Sequence, residues 1–315
     1  MKPAAFAYHT PASAADAVAL LAELGDGAKV IAGGQSLVPM LALRLAVFDH
    51  LVDLRRVAGL TGIERREGSL WIGAATTQSE IGRSGLVAAE VPLLARATPL
   101  IGHFQIRNRG TIGGSLAHAD AAAEYPAVAL TLGAVIETTS PRGQRTIPAA
   151  GFFHGIWTTA LEPDELLTGV VFPPWGGAGG RCGFAVEEFA RRPGDFAIAG
   201  AAVAVELSGG GSGGGPRVRR CAIGLFGLGQ TAVRAPAAEA AATGAVAADL
   251  SSAASAREIG AAAMAELDSV PSDLHGSAAY RRRVGAAVTA GAWLRALAEA
   301  EEQAGARPGK EEPGG

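Results

Sequence analysis

Only two cysteines, Cys182 and Cys221, occur in 315 residues. Two thiols cannot build a disulfide framework, nor an iron–sulfur cluster, which takes four thiolates. Reduced thiols are the simplest expectation. Charge of one sign is missing too. With 27 basic and 30 acidic residues the net charge is −3, which gives no basis for a nucleic-acid partner. No apolar run reaches the roughly 20 residues that a membrane-spanning helix needs. Residues 1–6 lack the apolar core of a signal peptide, so a cytoplasmic protein is expected. Aromatics make up only 5% of the chain, and alanine supplies much of its 49% hydrophobic content. The length still suffices for two domains, each with a core of its own.

Glycine, by contrast, is abundant at 44 residues, and two glycine pairs stand out. Ala32-Gly33-Gly34-Gln35-Ser36 follows a strand-like apolar run, residues 29–31. Thr111-Ile112-Gly113-Gly114-Ser115 opens on another, Thr111 and Ile112. Glycine adopts dihedrals closed to other residues and lets successive amides turn outward. A concave set of such amides holds a phosphate without any lysine. One Gly-Gly more often marks a turn than a ligand site. Two in one domain suggest a diphosphate clamped from both sides, which fits a dinucleotide such as FAD.

The rest of the chain organises around these pairs. Ser13-Ala14-Ala15-Asp16 has the form of a capping box, and Val18, Leu21 and Leu24 continue it as a helical face. Gly25 and Gly27 end that helix, and residues 29–32 read as a short strand feeding the first glycine pair. Residues 37–43 read as a helix that tolerates Pro39 in its first turn, and 51–54 as a second strand. Residues 60–63 and 70–73 flank Arg66-Glu67-Gly68 as a hairpin. Helices are expected over 91–101 and 123–132, a second hairpin over 134–138 and 144–147, and a strand over 166–172. Pro173-Pro174-Trp175-Gly176-Gly177 marks the domain boundary. Beyond it, residues 196–207 and 218–225 read as strands joined by a glycine-rich loop, 208–216. Alanine-rich helices follow over 236–243, 253–267 and 278–298. This gives an α+β chain with a first domain at 1–175, divided near residue 55 into subdomains 1–55 and 56–175. A second domain spans 178–300, and a disordered tail 301–315.

Three stretches carry a family resemblance: Ala32-Gly33-Gly34-Gln35-Ser36-Leu37, the long run from Ile101 to Asp120, and Ala190-Arg191-Arg192-Pro193-Gly194-Asp195-Phe196-Ala197. In this order they resemble the FAD-binding medium subunit of molybdenum hydroxylases, the carbon monoxide dehydrogenase and xanthine dehydrogenase family. The resemblance implies a PCMH-type, vanillyl-alcohol-oxidase-like pair of FAD-binding subdomains, then a C-terminal α+β domain with a small antiparallel sheet and helices. It implies partners as well. A large subunit would carry the molybdenum cofactor and a small subunit two [2Fe-2S] clusters, in a dimer of heterotrimers. Electrons would reach FAD in this chain and leave to an external acceptor. The cofactor carries the redox chemistry, so no catalytic side chain and no metal ligand is expected here.

By the same resemblance, the amides of Gly33, Gly34, Gln35 and Ser36 meet the FAD diphosphate, with Ile31 and Ala32 lining the channel. Thr111, Ile112, Gly113, Gly114 and Ser115 close on it from the second segment. Glu124 takes the position of an acidic residue that binds the ribose or adenine end, and Ile101 and Leu167 match apolar positions against the cofactor. Some members place a lysine near the flavin, and Glu187 is the matching residue here.

Several residues have plainer readings. His118 and Asp120 lack further ligands at metal spacing. His103 reads as structural, Asp195 as a turn residue, and Trp157, Trp175 and Trp293 as packing anchors. Arg107 and Arg109 either bind phosphate or pair with carboxylates. Gly224-Leu225-Phe226-Gly227-Leu228-Gly229 faintly suggests a nicotinamide-binding turn, though its glycine spacing departs from that fingerprint. A nicotinamide dehydrogenase and a non-catalytic scaffold subunit remain the alternatives.

Overall fold

The computed structural model describes residues 2–176, 180–208 and 215–305. The N-terminal part begins with a three-stranded parallel sheet. Its elements are β1 (Ala7–His9), α1 (Ala14–Leu24), β2 (Ala28–Ile31), α2 (Leu37–Ala42) and β3 (His50–Asp53), with strand order β1-β3-β2. Parallel neighbours need crossovers, and the helices supply them. Ser13 starts α1 by accepting the Asp16 amide on its hydroxyl, which in turn donates to the Asp16 carboxylate. Ala17, Val18 and Leu21 then bury against Val52 and Leu54.

A five-stranded antiparallel sheet follows. It comprises β4 (Ile63–Arg66), β5 (Ser69–Gly73), α3 (Gln78–Arg83), α4 (Gly85–Glu90), α5 (Pro92–Ala97), α6 (Phe104–Arg107), α7 (Ile112–His118), α8 (Glu124–Leu132), β6 (Val135–Ser140), β7 (Gly143–Pro148), β8 (Phe153–Gly155), β9 (Thr158–Thr159) and β10 (Leu166–Phe172). The strand order is β4-β5-β10-β6-β7, and β8 and β9 pair separately. Leu70, Ile72, Ile136 and Val170 share one core with Leu93, Leu94, Leu116 and Val128 of the helices. Every residue of α8 is buried, Glu124 included.

The C-terminal part is a four-stranded antiparallel sheet, β11 (Arg181–Phe189), β12 (Ala199–Leu207), β13 (Val218–Phe226) and β14 (Val233–Arg234) in that order, with α9 (Pro236–Ala242), α10 (Ala253–Ala265) and α11 (Ala278–Gly305). Side chains alternate along a strand. Accordingly, Cys182 and Phe184 enter the N-terminal core while Ala185 joins the cluster around Trp293 of α11. The sheet is thus covered on both faces, and every residue of β12 is buried. Backbone meets backbone where α11 crosses β11: a Cβ on Gly183 would lie 1.8 Å from the Ala296 carbonyl oxygen.

The expected α+β class holds, with differences in detail. The helix expected over 91–101 breaks after Ala97 into a single 3-10 turn that contains Pro99. β11 has no counterpart among the strands expected from the sequence, and β12 starts at Ala199 rather than at Phe196. Residues 301–305, expected as tail, continue α11. The rest of that tail, residues 209–214 of the glycine-rich loop, and Gly177 lie outside the described residues.

Candidate functional site

Strand β2 ends at Ile31, paired in parallel with Asp53 of β3. The chain then turns through Ala32-Gly33-Gly34-Gln35-Ser36 into α2. Gly34 sits at φ +73°, a left-handed conformation that glycine adopts without strain. The carbonyls of Gly34 and Ser36 point into α2, accepting from Val38 and Met40. The amides of Gly33, Gly34, Gln35 and Ser36 donate to no backbone acceptor among the described residues. The Ser36 hydroxyl does not cap α2 either. Unpaired amides converging from a turn make an anion cradle.

The second glycine pair behaves differently. Thr111 and Ile112 do not form a strand. Thr111 caps α7, its hydroxyl accepting from the Gly114 amide at 3.0 Å. The amide of Gly113 donates to Ala74 O at 2.9 Å, that of Ser115 to Thr111 O, and that of Ile112 to Thr76 O. These amides are spent inside the protein. Gly113 is required for packing, since a Cβ there would lie 2.6 Å from the Ala74 Cβ. The two segments nevertheless adjoin. A Cβ on Gly33 would meet Arg109 O at 2.1 Å, and one on Gly114 would lie 3.6 Å from the Ala32 Cβ. The first segment offers the donors, and the second walls the cradle.

The two apolar residues expected against the cofactor both belong to the main core. Ile101 packs half-buried on the main core and Leu167 is buried within it. Leu167 borders an irregularity in the pairing of β10 with β6. The next residue's carbonyl, Thr168 O, accepts from Ala74, the residue that also receives the Gly113 amide. The loop at Ile101 is tied down by Arg107, whose guanidinium donates to Ile101 O at 2.9 Å and Gly102 O at 2.7 Å. Arg107 therefore pairs with backbone carbonyls rather than with a carboxylate among the described residues, and Arg109 is exposed.

Glu124 opens α8 and is only 7% exposed. Its one hydrogen-bond partner is its own amide. Burial, reinforced by the nearby carboxylates of Glu188 and Asp120, pushes its carboxyl up to about 8. A buried acid with so little hydrogen bonding is costly. Glu188 was not singled out from the sequence. One of its carboxylate oxygens is buried without a partner, and burial pushes its pKa up to about 7.

Glu187 consequently sits on the other face of β11. Its carboxylate pairs with Arg295 of α11 at 2.9 Å and lies over Gly291. Glu187 therefore faces α11, with an arginine as its partner. His118 lies 3.9 Å from Asp120 and stacks on Trp157, and no metal-binding cluster occurs among the described residues. Trp157 is not a packing anchor: it is 57% exposed at φ +54°. Trp175 packs on Phe184 and Arg220, and Trp293 is fully buried. Asp195 is a turn residue, its amide donating to Arg192 O at 3.1 Å. Gly194 in that turn abuts His103. Gly224 belongs to an antiparallel strand packed on α8, so its segment is no nicotinamide-binding turn.

Residues 4–175 match the family described as FAD binding domain in molybdopterin dehydrogenase, and residues 184–296 match CO dehydrogenase flavoprotein C-terminal domain. The chain belongs to this family of FAD-binding subunits. It is 43% identical to the 6-hydroxypseudooxynicotine dehydrogenase complex subunit alpha of Paenarthrobacter nicotinovorans, over 90% of this chain and 92% of that one. It is 43% identical to the carbon monoxide dehydrogenase medium chain of Hydrogenophaga pseudoflava, over 66% and 72%. Among solved structures, carbon monoxide dehydrogenase from Hydrogenophaga pseudoflava superposes with a TM-score of 0.88 at 38% identity, over 95% of this chain and 99% of that one. Quinoline 2-oxidoreductase from Pseudomonas putida 86 superposes with a TM-score of 0.86 at 37% identity, over 95% and 99%. As a member of the family this flavoprotein is an oxidoreductase subunit. No helix among the described residues is long and apolar enough to cross a membrane.

Proposed function

We propose that this chain is the electron-transfer flavin subunit of a molybdenum hydroxylase, with the FAD diphosphate held on the amides of Gly33, Gly34, Gln35 and Ser36. The observation that carries the reading is that these four amides have no backbone acceptor among the described residues, while the Gly33, Gly34 and Ser36 carbonyls are all taken up. They lie on a half-buried turn within reach of a ligand, and a diphosphate accepts several amides at once. The residues fit the cofactor in two further respects. Glu124 holds a buried carboxyl whose one protein partner is its own amide, leaving it able to accept from a hydroxyl group, and Ile31, Ile101 and Leu167 offer apolar surface for the cofactor.

Bound FAD supplies the redox chemistry, taking up and giving away electrons, so this chain's own task is to bind, orient and shield it. Gly33 and Gly34 hold the diphosphate end, while Thr111 and Gly114 fix the wall opposite. Relatives named as a complex subunit, a medium subunit and a medium chain support an assembly with a large molybdenum subunit and a small iron–sulfur subunit. Two cysteines in this chain, both buried, agree with clusters held elsewhere. In such an assembly the FAD held here would take electrons from the partner's clusters for an external acceptor, and substrate would be oxidised on a different polypeptide.

Ser36→Asp tests the cradle. Its hydroxyl makes no cap contact, so folding is preserved, while a carboxylate among the four amides repels a diphosphate. The expected result is at least a hundredfold weaker FAD binding with an unchanged melting temperature. Unaltered FAD affinity would remove the diphosphate from this turn.

A further inference from the structure

The β8–β9 hairpin carries an aromatic tip on the protein surface. Gly155 pairs with Thr158, so Ile156 and Trp157 alone make the turn. Two-residue hairpin turns favour Asn-Gly, which accepts positive φ. Here both turn residues are large, apolar and more than half exposed. Trp157 stands at φ +54°, a conformation that bulky side chains rarely adopt. The base of the hairpin is firm. Phe152 is fully buried and its carbonyl accepts the Ala160 amide at 2.9 Å, while the Thr158 hydroxyl donates to Ile156 O at 3.0 Å. Backbone strain held in place by such surroundings points to a function at that residue.

The tip is not isolated. Trp157 stacks on His118, with ring centroids 6.0 Å apart and planes 16° from parallel. His118 is the last residue of α7. Ala119 closes that helix where glycine is usual, and it too is left-handed, at φ +51°. Two non-glycine residues in the left-handed region thus flank one stacked pair. The His118 ring has no hydrogen-bond partner among the described residues, since Asp120 Oδ2 at 3.9 Å is beyond that reach. Asp120 Oδ1 accepts the Ala122 amide at 2.9 Å, which leaves Oδ2 open. Burial lowers the His118 pKa against the pull of Asp120, so a neutral ring offers one N–H beside one open carboxylate oxygen. The first turn of α7 walls the diphosphate cradle, and seven helical residues put His118 roughly 10 Å from it.

We propose that Trp157 and His118 form the docking platform for an external electron acceptor of the quinone class, with the His118 N–H and the Asp120 carboxylate at its edge. This rests on the flavin reading above and names the acceptor that the reading requires. A quinone is planar and electron-poor, so it stacks on the electron-rich face of an indole. Its carbonyl oxygens accept an N–H, and the hydroxyls of its reduced form donate to a carboxylate. One donor beside one acceptor therefore suits both forms. The step balances: the quinone takes up two electrons and two protons and leaves as the hydroquinone, and the reduced flavin is oxidised by the same two electrons. An oxidised nicotinamide ring is also planar and electron-poor, but it is cationic and lacks the pair of ring carbonyls.

The test is equilibrium binding of menadione, a naphthoquinone, to the full chain, flavin-free and FAD-loaded, for wild type, Trp157→Phe and Trp157→Gly. Melting temperature and FAD affinity are measured alongside. Wild type is expected to bind menadione saturably, with quenching of tryptophan fluorescence. Trp157→Gly is expected to bind it at least tenfold more weakly, the scale of one lost stacking contact. Trp157→Phe keeps a ring and is expected to stay within about threefold. Glycine accepts φ +54° without strain, so the melting temperature of Trp157→Gly is expected to hold or rise. A packing role for the indole would lower it. Menadione binding by Trp157→Gly within twofold of wild type overturns the proposal, as does a fall of several degrees in its melting temperature. So does wild type binding NAD⁺ more tightly than menadione. FAD affinity that falls together with menadione affinity in Trp157→Gly assigns the ring to the cofactor, and overturns it too. If Trp157→Gly does not fold, Trp157→Asn, which also tolerates left-handed backbone, decides. A chain that keeps FAD but has no menadione site fails this inference alone; one that never takes up FAD removes the flavin reading, and the acceptor role with it.

Discussion

Glu124 shows what a single side chain adds to this fold. Its position after the second glycine pair was legible by resemblance, but its burial was not, because the residues that enclose it come from the far half of the chain. Burial raises its folded-state pKa from the usual carboxylate range to about 8. The folded state therefore binds the proton more tightly than the unfolded chain. Stability from this group is complete below its unfolded pKa, about 4.3, and is lost as pH rises towards 8. Glu165 runs the other way. Burial opposes its ionisation, but Arg145, Thr138 and the Glu162 amide hold it down at about 2, so its contribution is lost only in acid. The two windows do not overlap. In flavin-free chain, Glu124→Gln is expected to leave the melting temperature unchanged near pH 4.5 and to raise it by several degrees at pH 8. A pH series of thermal melts checks this, and an offset independent of pH would contradict it. The glycine pairs teach a similar lesson. Both were visible in the sequence, yet only the first keeps its amides free. Gly113 spends its amide on Ala74, a pairing made by tertiary structure that no local pattern announces.

Elements were legible where their pattern repeats and obscure where it is short. The amphipathic run of α1 and the alternating hairpins needed only local sequence. β11 did not show, because one face carries Gly183 and Ala185, small residues that leave room for the backbone of α11, and its end carries two glutamates. The helix expected over 91–101 was interrupted because Pro99 cannot continue the ladder. Packing of α11 on β11 is the element-scale contact with the least tolerance. Gly183→Val forces a side chain into the Ala296 carbonyl and is expected to destabilise the chain by about 3 kcal/mol, at the upper end for overpacking. Trp293→Ala empties the core beneath the same helix and is expected to cost about 3–5 kcal/mol. Denaturant unfolding monitored by circular dichroism measures both, and a change below about 1 kcal/mol in either would contradict this packing account.

At the scale of the whole molecule, the C-terminal sheet works as a middle layer, with α5 and α8 on one side and α10 and α11 on the other. Arg96 of α5 reaches across this layer to Glu299 of α11, and Glu299 also accepts the Phe184 amide at 2.9 Å. A two-pronged guanidinium–carboxylate contact fixes orientation as well as adding energy. Arg96→Met, which keeps the stem but drops the fork, is expected to lower the melting temperature by a few degrees and to loosen α11 first, as read by amide hydrogen exchange. Uniform exchange across the molecule would contradict a clamp at that position. Length and the Pro-Pro break led to the expectation of two domains. The burial of the C-terminal sheet on both faces was not legible, since it depends on which surfaces of the preceding elements are left apolar.

The most direct test of the account is cofactor retention. The full chain, purified with whatever subunits accompany it, is saturated with FAD and desalted, its visible spectrum is recorded, and the released cofactor is identified by chromatography. The account predicts flavin absorption at one FAD per chain, with FAD rather than FMN in the extract. A colourless chain in that assembly, or one that releases a different cofactor, would contradict it.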